Sequence, residues 1–320
     1  MPDAGGDEPY RFVVDESSFE LGELTGDQLA ELLHPFNTTL ADLLEQSHKV
    51  AVSPFWSETQ CGPDGRELHD VLYASRDPRG YDERLLMGSL MDRCPSWDTG
   101  LPGLTDRVAV GEDPIEPAWS LGYALLQGTR GHHVGCLVLP SAVRRGWRSA
   151  SGTGAESEVF FFAETGTVPD FWRGLFAREN VPQSEFFSRT HAAFPELVFA
   201  DSLTFRKFDG GYRDLREWVV RALTVIHDHF AAAWTEHEGN GHLVQQVLGS
   251  HGLDLSPEST NTRANKSVMR QREVSHDGEG YLCEWHAKQH PARNRVHFSL
   301  PDPRLGDRIL VGIFVDHLDT

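Results

Sequence analysis

The chain has 320 residues, of which 39% are hydrophobic and 10% aromatic, and its 48 acidic and 29 basic residues give a net charge of −19. This composition excludes an intrinsically disordered chain, and no apolar run approaches the roughly 18 residues of a membrane helix. The four cysteines are scattered singly, which excludes a zinc knuckle or a disulfide framework, and the first residues lack the pattern of a secretory signal. We therefore expect a cytoplasmic protein without a membrane segment.

The first 255 residues predict an acidic body of mixed helices and strands. Residues 1–18 are acidic and glycine-rich, so we expect them to form a flexible tail. The segment after Thr25 predicts two short helices, because leucines recur at helical spacing on both sides of Pro35 and a proline usually ends a helix. Further along, apolar spacing predicts helices at 81–94, 170–179, 183–194 and 212–234, and apolar runs predict strands at 131–140 and 158–164.

A polar, turn-rich stretch at Ser250–Thr262 predicts a domain boundary. We assign residues 19–255 to the acidic body and residues 256–320 to a C-terminal module with a small antiparallel sheet. The charge distribution agrees, because residues 261–320 carry nine Lys/Arg and eight Asp/Glu, which leaves a net charge of −20 on the first 260 residues. The predicted fold class is therefore α+β.

The C-terminal module contains a predicted β-hairpin formed by CEWHAKQ and RVHFSL. Apolar and polar residues alternate in each strand, so they lie on opposite faces. The register that aligns both apolar sets leaves a six-residue loop containing Pro291. The segment RILVGIFVDHL is apolar on both faces, which predicts a central, covered strand. The predicted register places Trp285 opposite Phe298, Ala287 opposite Val296, Cys283 opposite Leu300, His286 opposite His297, and Lys288 opposite Arg295.

The polar face of this hairpin supplies the candidate catalytic residues His286, Lys288, Arg295 and His297. Histidine exchanges protons near neutral pH, and lysine and arginine hold phosphates or stabilise a charged transition state. Like charges directly opposite each other destabilise a hairpin, which favours a functional reason for the pattern. A solvated face with incidental histidines is the alternative interpretation.

The remaining motifs do not indicate a specific chemistry. The histidines between His227 and His242 do not have the spacing of a helical zinc site, so we expect a structural or surface role for them. The sequence has no phosphate-binding glycine loop, no dinucleotide fingerprint and no serine-hydrolase elbow. We expect neither a metal nor a cofactor.

The tail also carries a family resemblance. Its segments CEWHAK, NRVHFSL and RILVGIFVDHL resemble the C-terminal end of uncharacterised bacterial proteins of mobile elements and defence islands, and that of the small RelE/HigB-like toxins. The resemblance implies a RelE-like α+β module with mRNA or another nucleic acid as substrate. Those toxins are strongly basic single modules, whereas this tail is nearly neutral and follows an acidic body.

We therefore expect a component of a bacterial defence or toxin-like system that acts through protein partners and binds RNA or DNA at its C-terminal sheet. The acidic body repels polyanions, which favours this role over a dedicated nuclease. Two alternatives stay open: a metal-independent ribonuclease of the RelE type, and a small-molecule enzyme of actinobacterial metabolism with a pocket between body and tail.

Overall fold

The structure is a computed structural model that describes residues 9–22, 24–62, 65–75 and 77–319. The chain forms two compact units, Met1–Asn180 and Val181–Thr320, and each has its own main sheet. The predicted α+β class is confirmed. The boundary expected near residue 255 lies inside the second unit, since strands on both sides of it belong to one sheet. None of the helices in the described part of the chain is long and apolar enough to cross a membrane.

Unit 1 is a seven-stranded sheet covered by helices on both faces. The strand order is β2-β1-β5-β7-β6-β3-β4, in which β2, β1, β5 and β7 are parallel and the remaining pairs are antiparallel. The elements are β1 (Phe12–Val14), α1 (Gly26–Glu45), β2 (Val50–Ala51), α2 (Tyr81–Arg93), β3 (Val108–Val110), β4 (Asp113–Ile115), α3 (Trp119–Thr129), β5 (Gly135–Leu137), β6 (Gly146–Gly152), β7 (Ala155–Phe162) and α4 (Val168–Arg178).

Strands β1, β2 and β5 and the second half of β7 are buried on both faces, as their apolar sequences require. Phe12 and Val14 of β1 join a core that includes residues of α1, α2 and α4, whereas Val13 joins a second core that includes residues of α3. Helices α1 and α3 therefore cover opposite faces of the sheet. From β1 the chain passes through α1 to β2 on one side, and β5 pairs with β1 on the other side. The strand order thus changes direction between β1 and β5.

Two expectations for the start of the chain are corrected. Residues 1–8 of the predicted tail lie outside the described residues, but residues 12–14 form an interior strand and Glu16–Ser18 form a turn of 3₁₀-helix. The two helices predicted around Pro35 are one continuous helix, α1. Pro35 removes a single backbone hydrogen bond, and the helix continues because Leu33, Phe36 and Leu40 are all buried in the same core.

Unit 2 contains a five-stranded sheet of order β8-β14-β13-β12-β9, in which only β8 and β14 pair in parallel, and a separate hairpin of β10 and β11. A π-helical turn, Ile226–Phe230, joins α6 to α7. The elements are α5 (Gln183–Ala193), β8 (Leu197–Phe199), α6 (Tyr212–Val225), α7 (Ala231–Glu236), α8 (Gly241–Ser250), β9 (Asp254–Pro257), α9 (Thr260–Ala264), α10 (Lys266–Met269), β10 (Glu273–His276), β11 (Glu279–Leu282), β12 (Trp285–His290), β13 (Arg293–Phe298) and β14 (Ile309–Val315).

The predicted hairpin is β12–β13, and its register is confirmed at the four pairs from Trp285–Phe298 to Lys288–Arg295. The connection is shorter than the predicted six-residue loop, because pairing continues to His290 and Arg293. Strand β14 occupies a covered, interior position as predicted, although β13 holds the central position of the sheet.

Candidate functional site

The four predicted site residues lie on one face of β12 and β13. His286 and His297 are direct neighbours, with ring centroids 4.9 Å apart, and Lys288 faces Arg295 one pair further along. This face is not open to solvent. His297 is fully buried, His286 and Arg295 are buried, and the Lys288 side chain is 20% exposed beside Asp254. The structure therefore brings the four residues together but covers the face that carries them.

An acidic and a basic residue that sequence reasoning missed cover the histidines. Glu258 follows β9, and Arg272 lies in a 3₁₀ turn after α10; Arg272 Nε donates to Glu258 Oε1 at 2.8 Å. The same carboxylate oxygen lies 3.6 Å from Nδ1 of His286 and 3.9 Å from Nδ1 of His297. Residues two apart in a strand lie on the same face, and Glu258 comes two residues after Ser256, which pairs with His286. This spacing could have indicated that Glu258 lies on the same face as His286, but β9 was not recognised as a strand in the sequence.

Burial controls the protonation of this cluster. Burial, with added repulsion from His297, lowers the pKa of His286 to about 2. Burial, with added repulsion from Arg272 and Arg295, lowers the pKa of His297 to about 3. Both imidazoles are therefore neutral at physiological pH. The four predicted residues do not form an open, positively charged surface.

The histidines between His227 and His242 remain dispersed. His229 stacks on His251 with ring centroids 3.8 Å apart. His227 instead contacts Asp228, with 2.6 Å between Nδ1 of the histidine and Oδ1 of the aspartate. Within the described part of the chain, these histidines do not form a group of three ligands around a common point. The structural role that the sequence favours for them stays a prediction.

A second buried polar site lies at the carboxyl end of β1, in the segment assigned to a flexible tail. Asp15 directly follows the strand, and its Oδ2 lies 3.2 Å from Nη2 of Arg144, in the connection after β5. Asp15 Oδ1 accepts a hydrogen bond from the Ser17 backbone amide. Burial raises the pKa of Asp15, although Arg144 partly opposes that shift.

Glu16 is the neighbouring carboxyl, and it is also buried. Its Oε1 accepts a 2.9 Å hydrogen bond from the backbone N–H of Ser120, one of the free amides in the first turn of α3. Its Oε2 makes no hydrogen bond of ordinary geometry with the described residues, and the Ser120 hydroxyl lies close enough to the carboxyl to oppose part of its pKa shift. Burial, together with the charge of Asp15, raises the pKa of Glu16 to about 7.

Two cavities flank these carboxyls. Glu16 lines a cavity of about 320 Å³ whose walls include Phe55 and Trp119, with ring centroids 5.4 Å apart, and a second carboxylate, Glu58. Ser17 and Arg144 line a separate cleft of about 520 Å³. Two adjacent residues of one turn therefore border two concave surfaces.

The position of this site follows from the topology. Ligands of open α/β sheets bind outside the carboxyl ends of the strands, where the strand order changes direction. In unit 1 that point lies between β1 and β5, and Asp15, Glu16 and Arg144 are located there. The sequence signal was FVVDES, a short apolar run followed by two acids, but a three-residue strand in a glycine-rich, acidic region does not stand out from a tail.

Comparison with known proteins gives no match, either to a protein-family model, to a curated protein or to a solved structure. The assignment of function therefore depends on the geometry of the two buried sites.

Proposed function

We propose that unit 1 is the catalytic domain of a small-molecule enzyme that transfers a proton through Glu16. The observation that carries the proposal is a buried carboxyl, with a pKa of about 7, that lines a cavity at the switch point of a parallel sheet. A general acid or base works best when its pKa is close to the working pH. A glutamate with an ordinary pKa lacks this property.

The surroundings of Glu16 favour protonation of one of its two carboxyl oxygens. The Ser120 amide holds Oε1, which leaves Oε2 to exchange the proton. The fixed amide also stabilises the carboxylate form once the proton has left, because free N–H groups at a helix N-terminus favour negative charge. The side chain is thus oriented before a substrate arrives.

The cavity walls indicate the class of substrate. Phe55 and Trp119 offer aromatic surface for a planar or apolar group, and Glu58 offers a second carboxylate for a hydroxyl or amino group. A volume of about 320 Å³ limits the bound part to a small molecule. We therefore propose a substrate that combines a flat apolar portion with hydroxyl or amino groups.

The experiment is a pH titration of the carboxyl carbons by NMR, combined with a binding screen of nucleosides, amines and sugars. We expect one glutamate that titrates near pH 7 and a bound ligand whose affinity changes with the same midpoint. Glu16→Gln should remove both the titration near pH 7 and the pH dependence of binding. Glu31→Gln, which changes an exposed side chain on α1, should retain both. A Glu16 that titrates near pH 4.5 would contradict the proposal.

A protein partner, as expected for a defence-system component, is the second proposal. Apolar side chains are exposed on α2 and beside it, among them Tyr73, Tyr81, Leu85 and Leu86, and such patches mark interaction surfaces. A cytoplasmic location is part of this proposal and agrees with four buried cysteines that are not joined in disulfide bonds. Leu85→Glu combined with Leu86→Glu should abolish co-purification of one reproducible partner, and Glu31→Gln should not.

A third proposal, nucleic-acid binding at the C-terminal sheet, is supported by the family resemblance. The four residues that it relies on are covered, so we rank it below the other two proposals. If it holds, RNA affinity should fall steeply with salt and should decrease in a His286→Ala, Lys288→Ala double variant. Equal affinity in that variant would remove this role.

A further inference from the structure

Three hydrogen-bond acceptors converge inside unit 2. One oxygen of Glu258 and one nitrogen each of His286 and His297 lie within 4.8 Å of one another, and all three residues are buried. They form the one such group of possible metal ligands within the described part of the chain. The sequence predicts that His286 faces His297, but it gives no sign of the third ligand, Glu258, which follows β9.

The two histidines present unpaired nitrogens to this point. Nδ1 of His286 has no hydrogen-bond partner among the described residues, and the ring of His297 has none there apart from the Cys283 backbone. Ser256 Oγ lies 3.4 Å from His286 Nε2, so the tautomer with its proton on Nε2 has a partner there and leaves a bare lone pair on Nδ1. A buried polar atom without a partner is unfavourable, because it has lost its hydrogen bonds to water. Ring nitrogens left without a donor so close to a carboxylate indicate that a positively charged or hydrogen-donating species belongs between them.

We propose that Glu258, His286 and His297 form a binding site for a divalent transition-metal ion, with Zn²⁺ as the reference ion. Neutral imidazole and carboxylate are its preferred protein ligands, and two histidines with one carboxylate leave further positions for water or substrate. The proposal concerns unit 2 and is independent of the function proposed for unit 1.

The three donor atoms lie within 4.8 Å of one another, so they must move closer together to hold such an ion. Ligand atoms of a tetrahedral zinc site are roughly 3.3 Å apart, and the Glu258 oxygen lies 3.6 and 3.9 Å from the two nitrogens. The supporting hydrogen bonds are also present. Arg272 orients the carboxylate and Ser256 orients His286, as outer partners do in metal sites.

Two guanidinium groups limit the affinity of the site. Arg272 contacts the ligating carboxylate, and Arg295 is close enough to lower the pKa of both histidines. Both add positive charge, so we expect weaker binding than in structural zinc sites.

The test uses the full chain, stripped with a chelator and titrated with Zn²⁺ against a chromophoric competitor, and with Co²⁺ followed by visible absorption. We expect one ion per chain and a cobalt band typical of nitrogen and oxygen ligands. Glu258→Gln and His297→Asn should each weaken binding at least tenfold. The exposed His290→Asn variant should bind as the wild type does, and so should a His229→Asn, His251→Asn double variant.

Several results would overturn the proposal. These are an unchanged affinity in Glu258→Gln and His297→Asn, a loss of binding only in the His229, His251 double variant, or no binding to the wild type. Because both buried variants can fail to fold, the wild type is also examined by ¹⁵N NMR of its histidine rings during Zn²⁺ addition. Saturable shifts in the two buried imidazoles support the site. Unshifted rings point to a buried water molecule or a purely structural network and end the proposal.

Discussion

The carboxyl pair of unit 1 and the histidine cluster of unit 2 are both buried ionisable groups on a sheet, yet they differ in what surrounds them. In unit 1, Glu16 lines an aromatic cavity and its pKa rises to about 7. In unit 2, Glu258 is paired with Arg272, and the pKa values of His286 and His297 fall to about 2 and 3. Burial favours the neutral form in both units. Only in unit 1 does burial produce a group, Glu16, that both titrates near physiological pH and lines a cavity.

The largest expected effect tests whether Glu258 is essential for the stability of unit 2. Glu258→Ala leaves the fully buried Arg272 without its carboxylate, and breaking a buried ion pair in this way costs about 3–5 kcal/mol. Hydrogen exchange of the β12 and β13 amides, followed by mass spectrometry, measures that loss. Asp209→Ala removes the exposed partner of Arg293 in the same unit and should cost less than about 1 kcal/mol. Equal effects would contradict the difference in burial.

The next prediction concerns the pH dependence of unit 1. The pKa of Glu16 is about 7 in the folded chain against 4.5 for an ordinary glutamate, so the folded state binds this proton more tightly. The resulting stability is complete below pH 4.5 and is lost as the pH rises through 7. Glutamine cannot ionise, so Glu16→Gln should raise the free energy of unfolding at pH 8 by about 3 kcal/mol. The two proteins should differ little at pH 4.5.

Urea denaturation at both pH values measures this effect, and Glu31→Gln provides the control for a change in surface charge. A Glu16→Gln variant that is destabilised to the same extent at both pH values would show that the side chain acts through packing and not through its charge.

The smallest expected effect separates Lys288 from the buried members of the predicted site. Lys288 lies 3.8 Å from a half-exposed Asp254, and such pairs contribute about 0–1 kcal/mol. Lys288→Ala should therefore change the free energy of unfolding by less than about 1 kcal/mol in urea denaturation. A larger loss would place Lys288 within the buried network of Glu258 and Arg272.

Several local features could be predicted from the sequence. Helices α2, α4 and α5 follow from apolar spacing, and the register of β12 and β13 follows from the alternation of apolar and polar residues. Strand β1 and the continuity of α1 through Pro35 could not be predicted in this way. Three residues are too few for a periodic pattern, and β1 pairs with β5, which is more than 120 residues further along the chain.

The sequence by itself determined that His286 faces His297 and that Lys288 faces Arg295, because a period of two is a property of the strands alone. Only the tertiary structure decided that this polar face is covered by Glu258 and Arg272. It also decided that Asp15 and Glu16 lie at the carboxyl end of β1, next to β5, and that Glu16 lines a cavity. Accessibility and pKa depend on which distant segments pack against a residue, and that information is not contained in the spacing of its neighbours.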